Sequence, residues 1–141
     1  MEDLYRKFKS SSCELDSFIS CLEDFLKEFK CNSVCLYRIL VSCEEVFLNI
    51  CNYAYGGEIG EIGVNISVHD RFCKIVISDS GIRFDPVSYV SRNSKPGEFI
   101  GGLGIFLVKK FMDKIEYKRE NGENNLILYK KLEGDFNGKT I

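Results

Sequence analysis

A chain of 141 residues with 45% apolar side chains, 28% charged side chains and a net charge of −2 bounds a single globular domain with a sizeable core. Its lysines and arginines are scattered, which argues against a nucleic-acid footprint. No apolar run approaches the roughly 18 residues of a membrane span. The opening MEDLYRKFKSSS lacks the pattern of a signal peptide, so the expected compartment is cytoplasmic. Seven cysteines, an odd number without a CxxC pair, read as small reduced hydrophobes, and a lone histidine excludes a His-based metal site.

Residues 3–9 read as a short strand. Ser11, three residues before Glu14, has capping-box spacing. Leu15, Phe18, Ile19, Leu22, Phe25, Leu26 and Phe29 recur at helical spacing, which predicts an amphipathic helix over 13–30. Asn32 or Ser33 caps a second helix, 33–54, with Leu36, Leu40, Cys43, Phe47, Cys51 and Ala54 as its apolar stripe, and Gly56-Gly57 ends it. Glu45 and Asn49 fall roughly opposite that stripe.

Ile62, Val64, Ile66 and Val68 alternate as a half-buried strand, His69-Asp70 turns the chain, and 71–78 returns antiparallel. Residues 86–101 carry no period and read as a loop. A helix follows over about 102–113, then strands 114–120 and 125–132 joined at Asn121-Gly122, a hairpin signal. The predicted core spans about 5–132, with 133–141 as a polar tail. Hairpin-paired strands with helices between them predict an α+β two-layer sandwich: a mostly antiparallel sheet covered on one face by helices.

Three segments carry candidate chemistry. Glu45 and Asn49 sit at i, i+4, a carboxylate able to take a hydroxyl proton and a carboxamide able to ligate Mg²⁺. The same pair also reads as a solvated helix face. Asp79 closes an otherwise apolar strand face formed by Cys73, Ile75 and Ile77. A buried carboxylate there needs a partner, such as the amino group of adenine, and Gly81 leaves room for a flat ring; the bland alternative is a turn. Gly101, Gly102 and Gly104 open a helix, where backbone N–H groups and the helix N-terminus suit a phosphate, or simply a flexible cap. Residues 134–140, GDFNGKT, resemble a P-loop but hold three residues between the glycines where four are required.

Taken in order, EEVFLNICNYAY (44–55), DSGIRFDP (79–86) and GGLGIFLVKK (101–110) resemble the N, G1 and G2 boxes of the GHKL ATPase superfamily, whose ATP site is the Bergerat, or histidine kinase-like ATPase, fold. The match is closer to the anti-sigma-factor serine kinases of bacterial partner-switching systems. That resemblance implies Glu45 as general base, Asn49 as Mg²⁺ ligand, and Asp79 bonded to the adenine amino group with Gly81 beside the ring. It implies Gly101, Gly102 and Gly104 around the phosphates and 87–100 as an ATP lid. Tyr53, Phe84, Leu103 and Ile105 complete the implied nucleotide contacts.

It also implies a homodimer with a sigma factor and a STAS-domain anti-anti-sigma factor as partners, the latter phosphorylated on serine. Tyr53 stands where many members have histidine, and Arg83 where proline is common. A binding-only module that senses nucleotide without phosphorylating is the alternative. The length and the want of a dimerisation helix argue against a gyrase-like enzyme and a detached sensor-kinase domain.

Overall fold

The computed structural model describes residues 2–88 and 103–134. The chain begins with β1 (Glu2–Lys9) and passes through a 3₁₀ turn (Ser12–Glu14) into α1 (Leu15–Lys27). Next come α2 (Ser33–Asn49), a π-helical segment (Ile50–Ala54), β2 (Glu61–His69) and β3 (Phe72–Asp79). It ends with α3 (Leu103–Phe111), β4 (Lys114–Glu120) and β5 (Glu123–Lys131). The five strands form one antiparallel sheet in the order β1-β2-β3-β5-β4. Because β5 lies between β3 and β4, α3 is the crossover of a split β-α-β unit. The predicted α+β sandwich is the observed architecture.

Alternation fixes the sheet's buried face. Ile62, Val64, Ile66 and Val68 of β2 and Cys73, Ile75 and Ile77 of β3 point into one core with Phe18, Leu22 and Leu26 of α1. Phe18 stacks on Phe47 of α2 at 4.6 Å between ring centroids and meets Phe8 of β1 edge-on at 5.5 Å. All seven cysteine thiols are free, and Cys35, Cys43 and Cys73 are buried among these side chains. Burial raises the Cys73 pKa to about 12, so this thiol stays protonated and apolar.

Several local expectations are corrected. Ser11 Oγ accepts from Cys13 N, while Glu14 reaches back to the Lys9 N–H at 3.0 Å, so the capping-box residues cap a 3₁₀ turn and not an α-helix. Asn32, one of the two expected caps, holds α2 through a 2.8 Å bond from Cys35 N to its Oδ1. The buried stripe of α2 is Cys35, Ile39, Ser42, Cys43, Val46 and Phe47, about one residue round from the predicted one. Leu36, Leu40 and Cys51 are only partly buried against the core. A helix flanked by α1 and α3 and seated on a sheet buries a wide arc, which a single stripe does not capture.

Residues 86–88, expected in a loop, are helical. Asp85 Oδ1 caps this turn from Ser88 N at 3.0 Å, with Pro86 at the first helical position. The start of the expected tail is tied down: Asn32 N donates to Glu133 O at 2.6 Å, and Cys31 bridges Gly134. The rest of the expected lid (89–100), the rest of the P-loop-like stretch and the tail end lie outside the described residues.

Candidate functional site: a cavity at one end of the sheet

α2 points its C-terminal end at the edge of the sheet where β3 ends and β5 begins. There it widens into the π-helical segment Ile50–Ala54, a form that collects at functional sites. Gly56 (φ 61°) and Gly57 (φ 89°) then reverse the chain in the left-handed region. The helix end is fastened to the loop after β3 by Ile82 N donating to Ala54 O at 2.9 Å. That contact explains Gly81. A Cβ there would lie 2.2 Å from Ala54 O, so glycine is required by the helix packed against it. Tyr55 fastens the same junction, its hydroxyl accepting from Ser80 N at 2.8 Å and donating to Glu61 O.

Between these elements lies a cavity of about 280 Å³. Val46, Ile50 and Ala54 of the helix, Ile77 of β3 and Leu126 of β5 give it apolar walls. The expected ligand residues Asn49, Tyr53, Asp79, Phe84 and Ile105 all line it. Ile105 arrives on the first turn of α3, whose backbone begins at Leu103. Gly81 sits behind the wall. Gly101 and Gly102 fall outside the described residues, and of Leu103 and Gly104 only the backbone helix is described.

Asp79 is only 7% exposed. Its Oδ1 accepts from Gly81 N at 2.9 Å and from Asn124 Nδ2 at 2.9 Å. No described group donates to Oδ2. A carboxylate in an apolar pocket with one oxygen lacking a donor is suited to a ligand N–H. The Asn49 side chain, on the helix wall, makes no hydrogen bond to a described group, so its carboxamide oxygen is available to a cation or ligand.

Glu45 lies one helical turn before Asn49, partly buried, and is not among the cavity-lining residues. Burial, and secondarily the neighbouring Glu44 carboxylate, raises its pKa above the ordinary glutamate value. Glu45 and Asn49 are both partly buried, and Asn49 borders the buried arc of the helix.

Sequence reasoning missed Asn124 and Tyr117, which also line the cavity. Asn124 shares a strand face with Leu126 and Leu128, and a polar residue on that face was the available signal.

Residues 9–130 match the model of the histidine kinase-like ATPase domain. The chain belongs to that family. Among curated relatives, the serine-protein kinase RsbW of Halalkalibacterium halodurans is 31% identical over 60% of this chain and 56% of its own length. The serine-protein kinase RsbW of Bacillus cereus (strain AH820) is 29% identical over 58% and 56%. The chain thus spans about half the length of the curated relatives it matches.

Among solved structures, the RsbU and RsbW domains of Rv1364c from Mycobacterium tuberculosis superpose with a TM-score of 0.68 at 14% identity, over 94% of this chain and 33% of that one. The histidine kinase domain of the blue-light activated histidine kinase EL346 from Erythrobacter litoralis does so at 0.56 and 15%, over 84% and 61%. At these identities the two structures establish the histidine kinase-like fold. Among the described residues, no helix is long and apolar enough to cross a membrane.

Proposed function

We propose that the chain is an ATP-binding protein-serine kinase and anti-sigma factor of a partner-switching system, phosphorylating a STAS-domain anti-anti-sigma factor. The observation that carries this reading is the cavity itself: Asp79, whose Oδ2 has no described donor, and Asn49 line one apolar space of base-like size. Asp79 takes the adenine amino group, and Ile50, Ile77, Phe84 and Ile105 supply apolar walls for the ring. Tyr53, 56% exposed, sits where the base gives way to solvent and the rest of the nucleotide.

Asn49 fits Mg²⁺ as a single oxygen ligand. When bound, Mg²⁺ supplies charge neutralisation on the phosphates. Gly101, Gly102 and Gly104, with Leu103, form the proposed phosphate cradle at the start of α3, as the family resemblance implies. Glu45 accepts the serine hydroxyl proton; its raised pKa brings it closer to neutral pH, where a general base works best. A cytoplasmic homodimer that holds a sigma factor when its substrate is phosphorylated completes the reading.

The position of Glu45, one turn from the cavity wall, favours one alternative: a nucleotide-sensing module that sequesters its partner without phosphorylating it. The two separate in one experiment. The protein is incubated with Mg·ATP and STAS-domain proteins of the same organism, and phosphoserine is read by mass spectrometry. Phosphoserine from wild type, with loss of about 100-fold or more in Glu45→Gln at unchanged ATP affinity, is the expected result. Transfer by Glu45→Gln at the wild-type rate removes Glu45 as base. ATP binding without any transfer leaves the sensing module.

A further inference from the structure

Asn124 is 6% exposed and sits on the cavity wall, yet every polar atom it has is already engaged. Its Nδ2 donates to Asp79 Oδ1 at 2.9 Å and to Ile82 O at 2.8 Å. Its Oδ1 accepts from Tyr117 Oη at 2.6 Å, from Arg119 Nη1 at 3.1 Å and from Phe84 N at 3.4 Å. An amide has two N–H donors and one carbonyl oxygen, so nothing is left over for a ligand. The orientation is also unique. A flipped amide would set its NH₂ against the Arg119 guanidinium and its oxygen against the Asp79 carboxylate.

Two of the groups that hold Asn124 come from its own hairpin. Tyr117 and Arg119 lie on β4 and Asn124 on β5, across a turn whose Asn121 (φ 53°) and Gly122 (φ 78°) are both left-handed. Arg119 Nη1 also donates to Gly81 O at 2.9 Å, so the hairpin grips the loop after β3 at Gly81, Ile82 and Phe84 besides Asp79. Asp79, which lines the cavity, in turn has two donors on Oδ1 and none described on Oδ2.

We propose that Asn124 is a positioning residue that makes the pocket selective for a purine with an exocyclic amino group. By occupying Asp79 Oδ1 and fixing the carboxylate plane, it leaves an acceptor where adenine offers N–H. A purine with a carbonyl at that place meets two facing oxygens with no donor between them. This deepens, and rests on, the reading of the cavity as a nucleotide site.

The test compares ATP with inosine triphosphate, which puts a carbonyl in place of the amino group and a proton on the adjacent ring nitrogen. Affinities are measured by calorimetry on wild type, Asn124→Asp and Tyr117→Phe, with thermal midpoints recorded alongside. Asn124→Asp keeps the size and the oxygen facing Tyr117 but turns the group facing Asp79 from donor to acceptor. Tyr117→Phe keeps the ring in the wall and removes one bond to Asn124. The preference of wild type for ATP is expected to fall by about ten-fold in Asn124→Asp and by about three-fold in Tyr117→Phe. A merely structural role would weaken both nucleotides alike and leave their ratio unchanged, and that result overturns the proposal. Wild type that binds neither nucleotide overturns the nucleotide site as well, whereas wild type that prefers ATP with both variants unchanged in ratio overturns only the role of Asn124.

Discussion

At the end of the sheet where β2 turns into β3, polar groups meet protein partners; at the other end, where β3 meets β5, they are left facing a cavity. In the first region Asp70 (φ 50°) and Arg71 (φ 67°) make a tight left-handed turn. Leu132 N donates to Arg71 O at 2.7 Å, and the Arg71 guanidinium donates to Phe29 O and Leu132 O. One arginine thereby closes the C-terminus of α1 and the end of β5 together. In the second region α2 loosens into a π-helical segment, and the Asp79 carboxylate and Asn49 carboxamide stop short of full pairing. The first end is closed by its own hydrogen bonds; the second leaves hydrogen-bonding capacity open on a cavity wall.

Substitutions at the two ends therefore have opposite signatures. Asp79→Asn is expected to weaken ATP binding by about 100-fold in calorimetry while moving the thermal midpoint little, because the removed charge acts on the ligand. Unchanged affinity would take Asp79 out of the site. Arg71→Ala is expected to do the reverse. Two charge-assisted bonds to carbonyls are lost, costing about 2–3 kcal/mol in urea unfolding, with ATP affinity within about two-fold of wild type. A loss of ATP affinity in that variant would mean the two ends are coupled.

The pH dependence sharpens the same contrast. Glu45 has a raised pKa through burial, so phosphoryl transfer should fall on acidification at a pH above that of an ordinary glutamate, and Glu45→Gln should lack that limb. The linkage has a definite sign. A carboxyl that holds its proton more tightly when folded adds stability at low pH, and that contribution is lost as pH rises through its folded pKa. The smallest effect is expected at Ser42, fully buried on α2 with no hydrogen-bond partner for its hydroxyl among the described residues. Ser42→Ala should raise stability by about 1 kcal/mol, read as a higher denaturant midpoint, since it removes an unpaired polar atom and improves helix propensity.

Periodicity in the sequence carried the architecture because each element packs one face. The strict alternation of 62–68 and the helical spacing from Leu15 to Phe29 both correspond to buried faces of the structure. Asp79 was legible for the same reason, as a carboxylate closing an apolar face. Asn124 obeys that argument too, below Leu126 and Leu128, but the strand was expected to start at 125, one residue too late, which left it in the turn. Gly81 has a requirement the sequence did not show: the atom a side chain there must avoid belongs to Ala54, far away in sequence. The π-helical segment had no sequence signal. It follows from tertiary contacts, the bond from Ile82 to Ala54 and the Tyr55 hydroxyl among them, which local propensity does not encode.

That segment also sets how the chain can change length. A π-helical turn holds one residue more than the α-helical turn it replaces. Deleting one residue within Ile50–Ala54 lets the turn become α-helical with little rotation, whereas forcing the same residues into α geometry would swing everything beyond them by about 100°. Ala54 O would then miss Ile82 N, and the wall carrying Tyr53 would turn away from Asp79. Gly56 and Gly57 have nothing within 4 Å of where a Cβ would stand, so extra residues can be taken up a few positions later without cost to the cavity. Length changes a handful of residues apart should therefore have unequal fates: added residues can be taken up at 56–57, while within Ile50–Ala54 the wider turn can give back one residue but has no room for another.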